Sequence, residues 1–185
     1  MLNEVFEKNF ENTNRLDRAI YKDCSFIQCE LDSAKLMNCE FIDCSFISCN
    51  LSNSDFSQTS LKTVIFEDCK LIGIQFQEAN PFLLKVYFKG CNLNYSSFYS
   101  LNLTKTQFEN CELQDIDFTE TNLSEAVLSN CSLNHSVFDR TNLSKADLSS
   151  AREFQINPST NVIKKARFTR ENIHGLLSNF DVIIS

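Results

Sequence analysis

The sequence predicts an all-β fold, a four-sided solenoid of short parallel strands. Three observations predict it. Leucine or phenylalanine recurs at every fifth position over most of the chain, like residues recur again every twenty, and a smaller residue stands two places before each large one. A period of five is neither the strand period of two nor the helix period of 3.6. It places one large apolar residue on each short straight segment before the chain turns a corner.

The first ladder runs from Phe26 through Leu31, Leu36, Phe41, Phe46, Leu51, Phe56, Leu61, Phe66 and Leu71 to Phe76 without a miss. It resumes at Phe88 and continues through Phe98, Phe108, Leu113, Phe118 and Leu133 to Leu148, against a background of about one position in five. The smaller slot holds Cys24, Cys29, Ala34, Cys39, Ser54 and Thr59, and later Cys91, Ser96, Thr106 and Thr121. Both slots face inward, because the other three positions of each five are mostly polar.

Stepping by twenty sorts the large residues into four columns, so four fives make one turn. One column reads Leu31, Leu51, Leu71, Leu93, Leu113, Leu133; a second reads Leu36, Phe56, Phe76, Phe98, Phe118, Phe138. A third is expected to hold Phe41, Leu61, Leu83 and Leu103, and the last Phe26, Phe46, Phe66, Phe88 and Phe108. Leu31, Phe56, Phe66, Phe76, Phe98, Phe108, Phe118 and Leu133 are the expected heart of the core. About eight coils at about 4.8 Å each make a rod of about 40 Å. The ladder breaks once, where Phe76 to Phe88 is twelve residues rather than ten, and the two extra residues fall near Asn80-Pro81-Phe82. Proline donates no strand hydrogen bond, so a bulge belongs there. The break reads either as a tolerated insertion or as a binding protrusion.

In this register the chain resembles the pentapeptide-repeat proteins, whose motif is a small residue, Asp or Asn, then Leu or Phe. It stands here as Cys49-Asn50-Leu51, Ser54-Asp55-Phe56, Cys91-Asn92-Leu93, Thr121-Asn122-Leu123, Thr141-Asn142-Leu143 and Ala146-Asp147-Leu148. The resemblance covers residues 14 to 151 and implies a right-handed quadrilateral β-helix. Residues 1–168 form the expected repeat domain, clearest over 26–76 and 88–148, and residues 169–185 a terminal element.

Composition excludes several classes of function. Three glycines leave no phosphate cradle and argue against a fold built from tight glycine turns. The charged start MLNEVFEKNF has no apolar signal core, and no run approaches membrane-spanning length, so a cytoplasmic protein with no membrane partner is expected. All nine cysteines occupy the small inward slot, six of them (Cys29, Cys49, Cys69, Cys91, Cys111, Cys131) in one column. They read as small hydrophobes rather than metal ligands, and no cofactor is expected. The two histidines, His135 and His174, have no nucleophile to serve, so no enzyme is expected.

Residues 1–151 hold 21 acids against 12 bases, a poor surface for direct nucleic-acid binding. Glu109, Glu112, Asp115, Asp117, Glu120 and Glu125 follow one another with no base between them. Family members that protect bacterial type II topoisomerases resemble DNA in shape and charge. By that resemblance these six are candidate partner-binding residues toward DNA gyrase or topoisomerase IV, in quinolone or microcin protection. The alternative is a solvated surface: the body has about one net charge per 4 to 5 Å, against one per about 1.7 Å in DNA. A second reading makes the chain a general interaction scaffold. It would use apolar residues in outward slots (Ile27, Ile47 and Ile42) together with Tyr95 and Tyr99.

At the carboxyl end Thr169 is placed to cap a helix. Ile173, Leu176, Leu177 and Phe180 then share one face. Val182, Ile183 and Ile184 read as a short strand. An open solenoid end must be capped or paired: either the helix only plugs its own coil end, or, as in relatives that also join two rods tail to tail, it makes the homodimer that is expected here.

Overall fold

The computed structural model describes residues 2–178, 180 and 182. Among them the chain is an all-β parallel solenoid. Its strands are β1 (Asn3–Phe6), β2 (Asn9–Glu11), β3 (Ala19–Lys22), β4 (Ser25–Ile27), β5 (Glu40–Ile42), β6 (Ser45–Ile47), β7 (Ser60–Glu67), β8 (Asn80–Lys89), β9 (Gln107–Glu109) and β10 (Val127–Ser129). All strand pairs are parallel, and like residues meet like: Phe26 with Phe46, Phe46 with Phe66, and Phe88 with Phe108.

Each inward slot has a distinct physical task. The phenylalanines stack within a column, with ring centroids 4.4 Å apart for Phe26 and Phe46 and 5.1 Å for Phe88 and Phe108. Across the turn they meet edge to face, as Phe108 and Phe118 do at 84°. Both arrangements suit the ring quadrupole. Where it holds Ser, Thr or Cys, the small slot is more than filler, because it supplies a donor. Cys69 Sγ donates to the Phe46 carbonyl, Cys91 Sγ to the Phe66 carbonyl and Thr121 Oγ1 to the Phe98 carbonyl, each reaching back one turn.

The outward positions also build the turn. The Asn or Asp before a large residue accepts the N–H two places on, as Asn50 Oδ1 does from Ser52, Asp55 from Ser57 and Asn142 from Ser144. The residue two after nearly every large one lies in the left-handed region, for example Ser33 at φ 55°, Asn38 at 57°, Asp115 at 53° and Lys145 at 60°. Most such corner N–H groups are used by the next turn, as when Ser33 donates to the Ser52 carbonyl at 2.8 Å. The fold therefore does turn tightly, but with side chains where the scarcity of glycine argued against such turns. Only Gly73 and Gly90 take this corner as glycines.

The stack has about six turns, rather than the eight coils that division by twenty gives. The outer turns are irregular. Phe10 pairs with Phe26, a step of sixteen, and beyond Ser129 strands give way to single bridges such as Val127 to Asp147 and Asp147 to Arg167. The extra residues lie between Asn80 and Lys85, where β8 slips against β7: Ser60 pairs with Asn80 but Lys62 with Lys85. Leu83 does not fill the column with Leu61 and Leu103. It is 63% exposed at φ 59°, and Leu84 packs against the core in its place.

The carboxyl-terminal α-helix is not formed. Residues Ile173–Leu176 make one 3-10 turn, and Thr169 donates its N–H to Asn172 Oδ1 instead of capping. Asn172 is the cause, since its amide donates to the Leu148 and Ala151 carbonyls and pins the segment across the last turn. Gly175 then lies flat on the Phe154 ring, where a Cβ would collide. Of the four residues expected on one apolar face only Leu176 is buried, while Ile173 and Phe180 are exposed. Ile183 and Ile184, in the expected last strand, lie outside the described residues. No helix among the described residues is long and apolar enough to cross a membrane.

Candidate protein-interaction surface

The column of stacked rings fills the rod, so whatever the chain binds meets its outer positions. The six acids wind around it rather than forming one face. Glu109 follows Phe108, Asp117 precedes Phe118, and Asp115, Glu120 and Glu125 are corners on three successive edges. Several are held by neighbours one turn away. Glu120 pairs with Arg140 at 3.0 Å and accepts from the Tyr99 hydroxyl at 3.1 Å. Glu125 lies between Lys105 at 3.8 Å and Lys145 at 3.2 Å. Asp117 accepts the Thr119 N–H at 2.8 Å, so it is a turn-forming residue as well as a charge. Glu109 and Glu112 are exposed and have no ion pair among the described residues.

Such cross-turn pairs recur along the rod: Lys22 with Glu4, Lys62 with Glu40, Lys89 with Glu67 and Arg167 with Asp147. A twenty-residue register brings charges on successive turns within reach, and opposite signs stabilise the stack as they do between strands. The distances show that Glu120 and Glu125 are engaged by bases on neighbouring turns, whereas Glu109 and Glu112 are not among the ion-paired residues described.

The apolar set divides in two. Ile27 and Ile47 are register partners and half-buried, and Ile42 is likewise half-buried between Lys22 and Lys62. Tyr95 is 59% exposed at a corner, where φ is 63°, and Tyr99 is 42% exposed over Glu120. Among the described residues no three His, Cys, Asp or Glu side chains converge as metal ligands. Burial pushes the Cys44 thiol up to about 11; Cys91 rises to about 12, first through its hydrogen bond with the Cys111 thiol and then through burial.

A family model described as the pentapeptide repeat region matches residues 19–98 and 101–177. The chain belongs to the pentapeptide-repeat family. No curated protein matches it in sequence. Among solved structures, trypsin-treated QnrB1, a plasmid-mediated fluoroquinolone resistance protein, is 20% identical with a TM-score of 0.52, covering 100% of this chain and 98% of that one. Full-length QnrB1 is 17% identical at 0.52, covering 97% and 100%. HetL of Nostoc sp. strain PCC 7120, involved in heterocyst differentiation regulation, is 14% identical at 0.48, covering 89% and 84%. The QnrB1 likeness extends end to end, and at this identity it speaks for the fold.

This pentapeptide-repeat rod also carries exposed apolar residues at the bulge that the break in periodicity located. At the bulge Phe82 is 66% exposed, and Ile65 on the neighbouring strand is 45% exposed. The signal was present in the Leu83-Leu84 doublet, since a slot that takes one leucine leaves the other outside.

Proposed function

We propose that the chain is a non-enzymatic, protein-binding rod whose target is a bacterial type II topoisomerase, DNA gyrase or topoisomerase IV. The observation that carries the binding role is the solid stack of phenylalanine rings, which leaves the outer positions to do the work. The family is generally non-catalytic. The winding is taken as right-handed and quadrilateral, the sense usual for crossovers between parallel strands. A net charge of −7 on a smooth rod, together with the end-to-end likeness to QnrB1, supports the topoisomerase as target. Glu109 and Glu112, exposed and without ion pairs, are the first contacts on the positively charged surface that grips DNA. The rod is cytoplasmic on this reading and pairs with a second copy through its carboxyl end, where Ile173, Phe180 and Val182 are exposed.

Gyrase supercoiling assays with and without a quinolone test the reading. Protection from drug-induced cleavage supports it, and absence of any effect at micromolar excess of the rod retires it. Light scattering at twice the monomer mass of 21.2 kDa is expected for the dimer.

A second reading has its own observation. The carboxylates of Glu120 and Glu125 are already engaged by Arg140, Lys105 and Lys145. A general scaffold contacting its partner through Ile27, Ile42, Ile47, Tyr95 and Tyr99 is then favoured. Under it, serine at Ile42 and Ile47 abolishes partner capture while changes at Glu109 and Glu112 do nothing.

A further inference from the structure

We propose that the bulge of β8 forms a second, oppositely charged docking site, which takes an extended acidic protein segment bearing a large apolar side chain. The site is a groove of about 420 Å³ between Leu83–Tyr87 on one turn and Thr104–Thr106 on the next. Its lining holds two lysines and no carboxylate, on a chain whose net charge is −7. Lys85 has no carboxylate partner among the described residues and reaches over the Tyr87 ring at 5.6 Å. Lys105 is 71% exposed and only 3.8 Å from Glu125, which shares itself with Lys145. The Lys85 ammonium is therefore unpaired among the described residues, and Lys105, though paired at 3.8 Å with Glu125, leaves most of its side chain open to a second carboxylate.

Backbone conformation marks the same place. Every other left-handed corner among the described residues is polar, charged or glycine, apart from Tyr95. Leu83 alone places an aliphatic side chain there, at φ 59° and 63% exposed. An aliphatic residue in this region is strained by its Cβ and gains nothing from solvent. The core does not draw it inward, because the half-buried Leu84 packs there in its place. Phe82 beside it is exposed too, and its N–H is held by Asn80 Oδ1 at 3.0 Å, so the protrusion is shaped rather than slack. Beyond Tyr87 the apolar strip continues onto Ile65, its register partner on the preceding turn.

Charge complementarity selects the occupant. An acidic segment finds Lys85 and Lys105 flanking an apolar floor. The apolar floor and the exposed Leu83 call for a large apolar side chain between the carboxylates, which a nucleic-acid backbone does not offer. The groove itself contains neither Glu109 nor Glu112, although Glu109 borders the strip beyond Tyr87, so variants at Leu83, Lys85 and Lys105 test this site without touching the acids of the proposed function.

The test is fluorescence anisotropy with a labelled peptide alternating Glu with Leu or Phe. The same peptide with Lys for Glu is the control, and titrations run at low and high salt. The Glu peptide is expected to bind with salt-sensitive affinity and the Lys peptide not at all. Lys85→Glu with Lys105→Glu is expected to weaken binding at least tenfold. Leu83→Gly separates binding from folding: glycine suits the left-handed corner, so the thermal midpoint holds or rises while peptide affinity falls at least fivefold. Failure of the Glu peptide to bind, equal binding of the Lys peptide, or wild-type affinity in either variant overturns the proposal. So does a concentration-dependent dimer lost on Leu83→Gly, because the groove would then belong to a second copy.

Discussion

Thr121 donates its hydroxyl to the Phe98 carbonyl of the preceding turn at 2.8 Å, with its own side chain fully buried. The same relation joins Ser54 to Leu31, Thr59 to Leu36 and Cys91 to Phe66. Where the small slot holds Ser, Thr or Cys it thus supplies a donor as well as volume, whereas Ala34 and Ala126 supply volume alone. Thr121→Val keeps the volume and removes the donor. The Phe98 carbonyl retains the Leu101 N–H at 3.1 Å, so the loss is expected near the lower end for a buried hydrogen bond, about 1 kcal/mol. Thr121→Cys, the residue used elsewhere in the slot, is expected to stay within about half of that loss. Urea unfolding of the two variants checks it, and equal stabilities would refute the donor role.

Phe108 lies fully buried between Phe88 at 5.1 Å and the edge of Phe118 at 6.2 Å. Phe108→Ala is expected to cost about 3 to 5 kcal/mol. A solenoid turn contacts only its neighbours, so the loss is local before it is global. Amide exchange is expected to quicken first around Phe88 and Leu128, with the turn at Phe26 still protected.

Burial pushes the Cys44 thiol up to about 11, so the folded state holds its proton where the unfolded chain has already lost it. Its stabilising contribution is complete below the unfolded value of about 8.5 and fades as pH rises toward the folded one. The thermal midpoint is expected to fall between about pH 9 and 11, and Cys44→Ser to blunt the fall. A native protein whose thiols react at pH 8 as fast as unfolded ones would contradict this account.

Much of the solenoid was legible because its determinants are periodic. Phe26, Phe46 and Phe66 stand twenty apart in sequence and stack in register in the fold. What was not legible has local causes. Corners such as Gln28 and Asn53 take φ of 50° and 56°, so glycine content says nothing about the turns; the strain at these two is compensated by N–H groups bonded to the Ile47 and Ile72 carbonyls of the next turn. The terminal helix failed because the Asn172 amide bonds three sites of the last turn, a tertiary interaction that spacing along the sequence does not contain. Asp117 looked like a free charge and serves a turn, and the Leu83-Leu84 doublet hid a change of register.

The acidic surface gives the prediction that divides the two functional readings. Glu109 and Glu112 are exposed and accept no turn-forming N–H, whereas Asp117 holds Thr119 and Glu120 holds Arg140. Glu109→Lys with Glu112→Lys therefore leaves the stack intact, and the thermal midpoint is expected to move by no more than a few degrees, about what surface changes produce. Exposed charges act over about 10 Å at ordinary salt. Reversing two of them on a surface that meets a positively charged groove is expected to weaken binding to gyrase at least tenfold, about 1.4 kcal/mol, and to make the remainder less salt-sensitive. Asp117→Lys is the contrasting variant, because it is expected to lower the midpoint by loosening the turn at Thr119. Supercoiling and binding measurements at two salt concentrations separate the cases. If the double variant protects gyrase as well as the parent does, the acids are solvated surface, and the isoleucine and tyrosine face is left to carry the interaction.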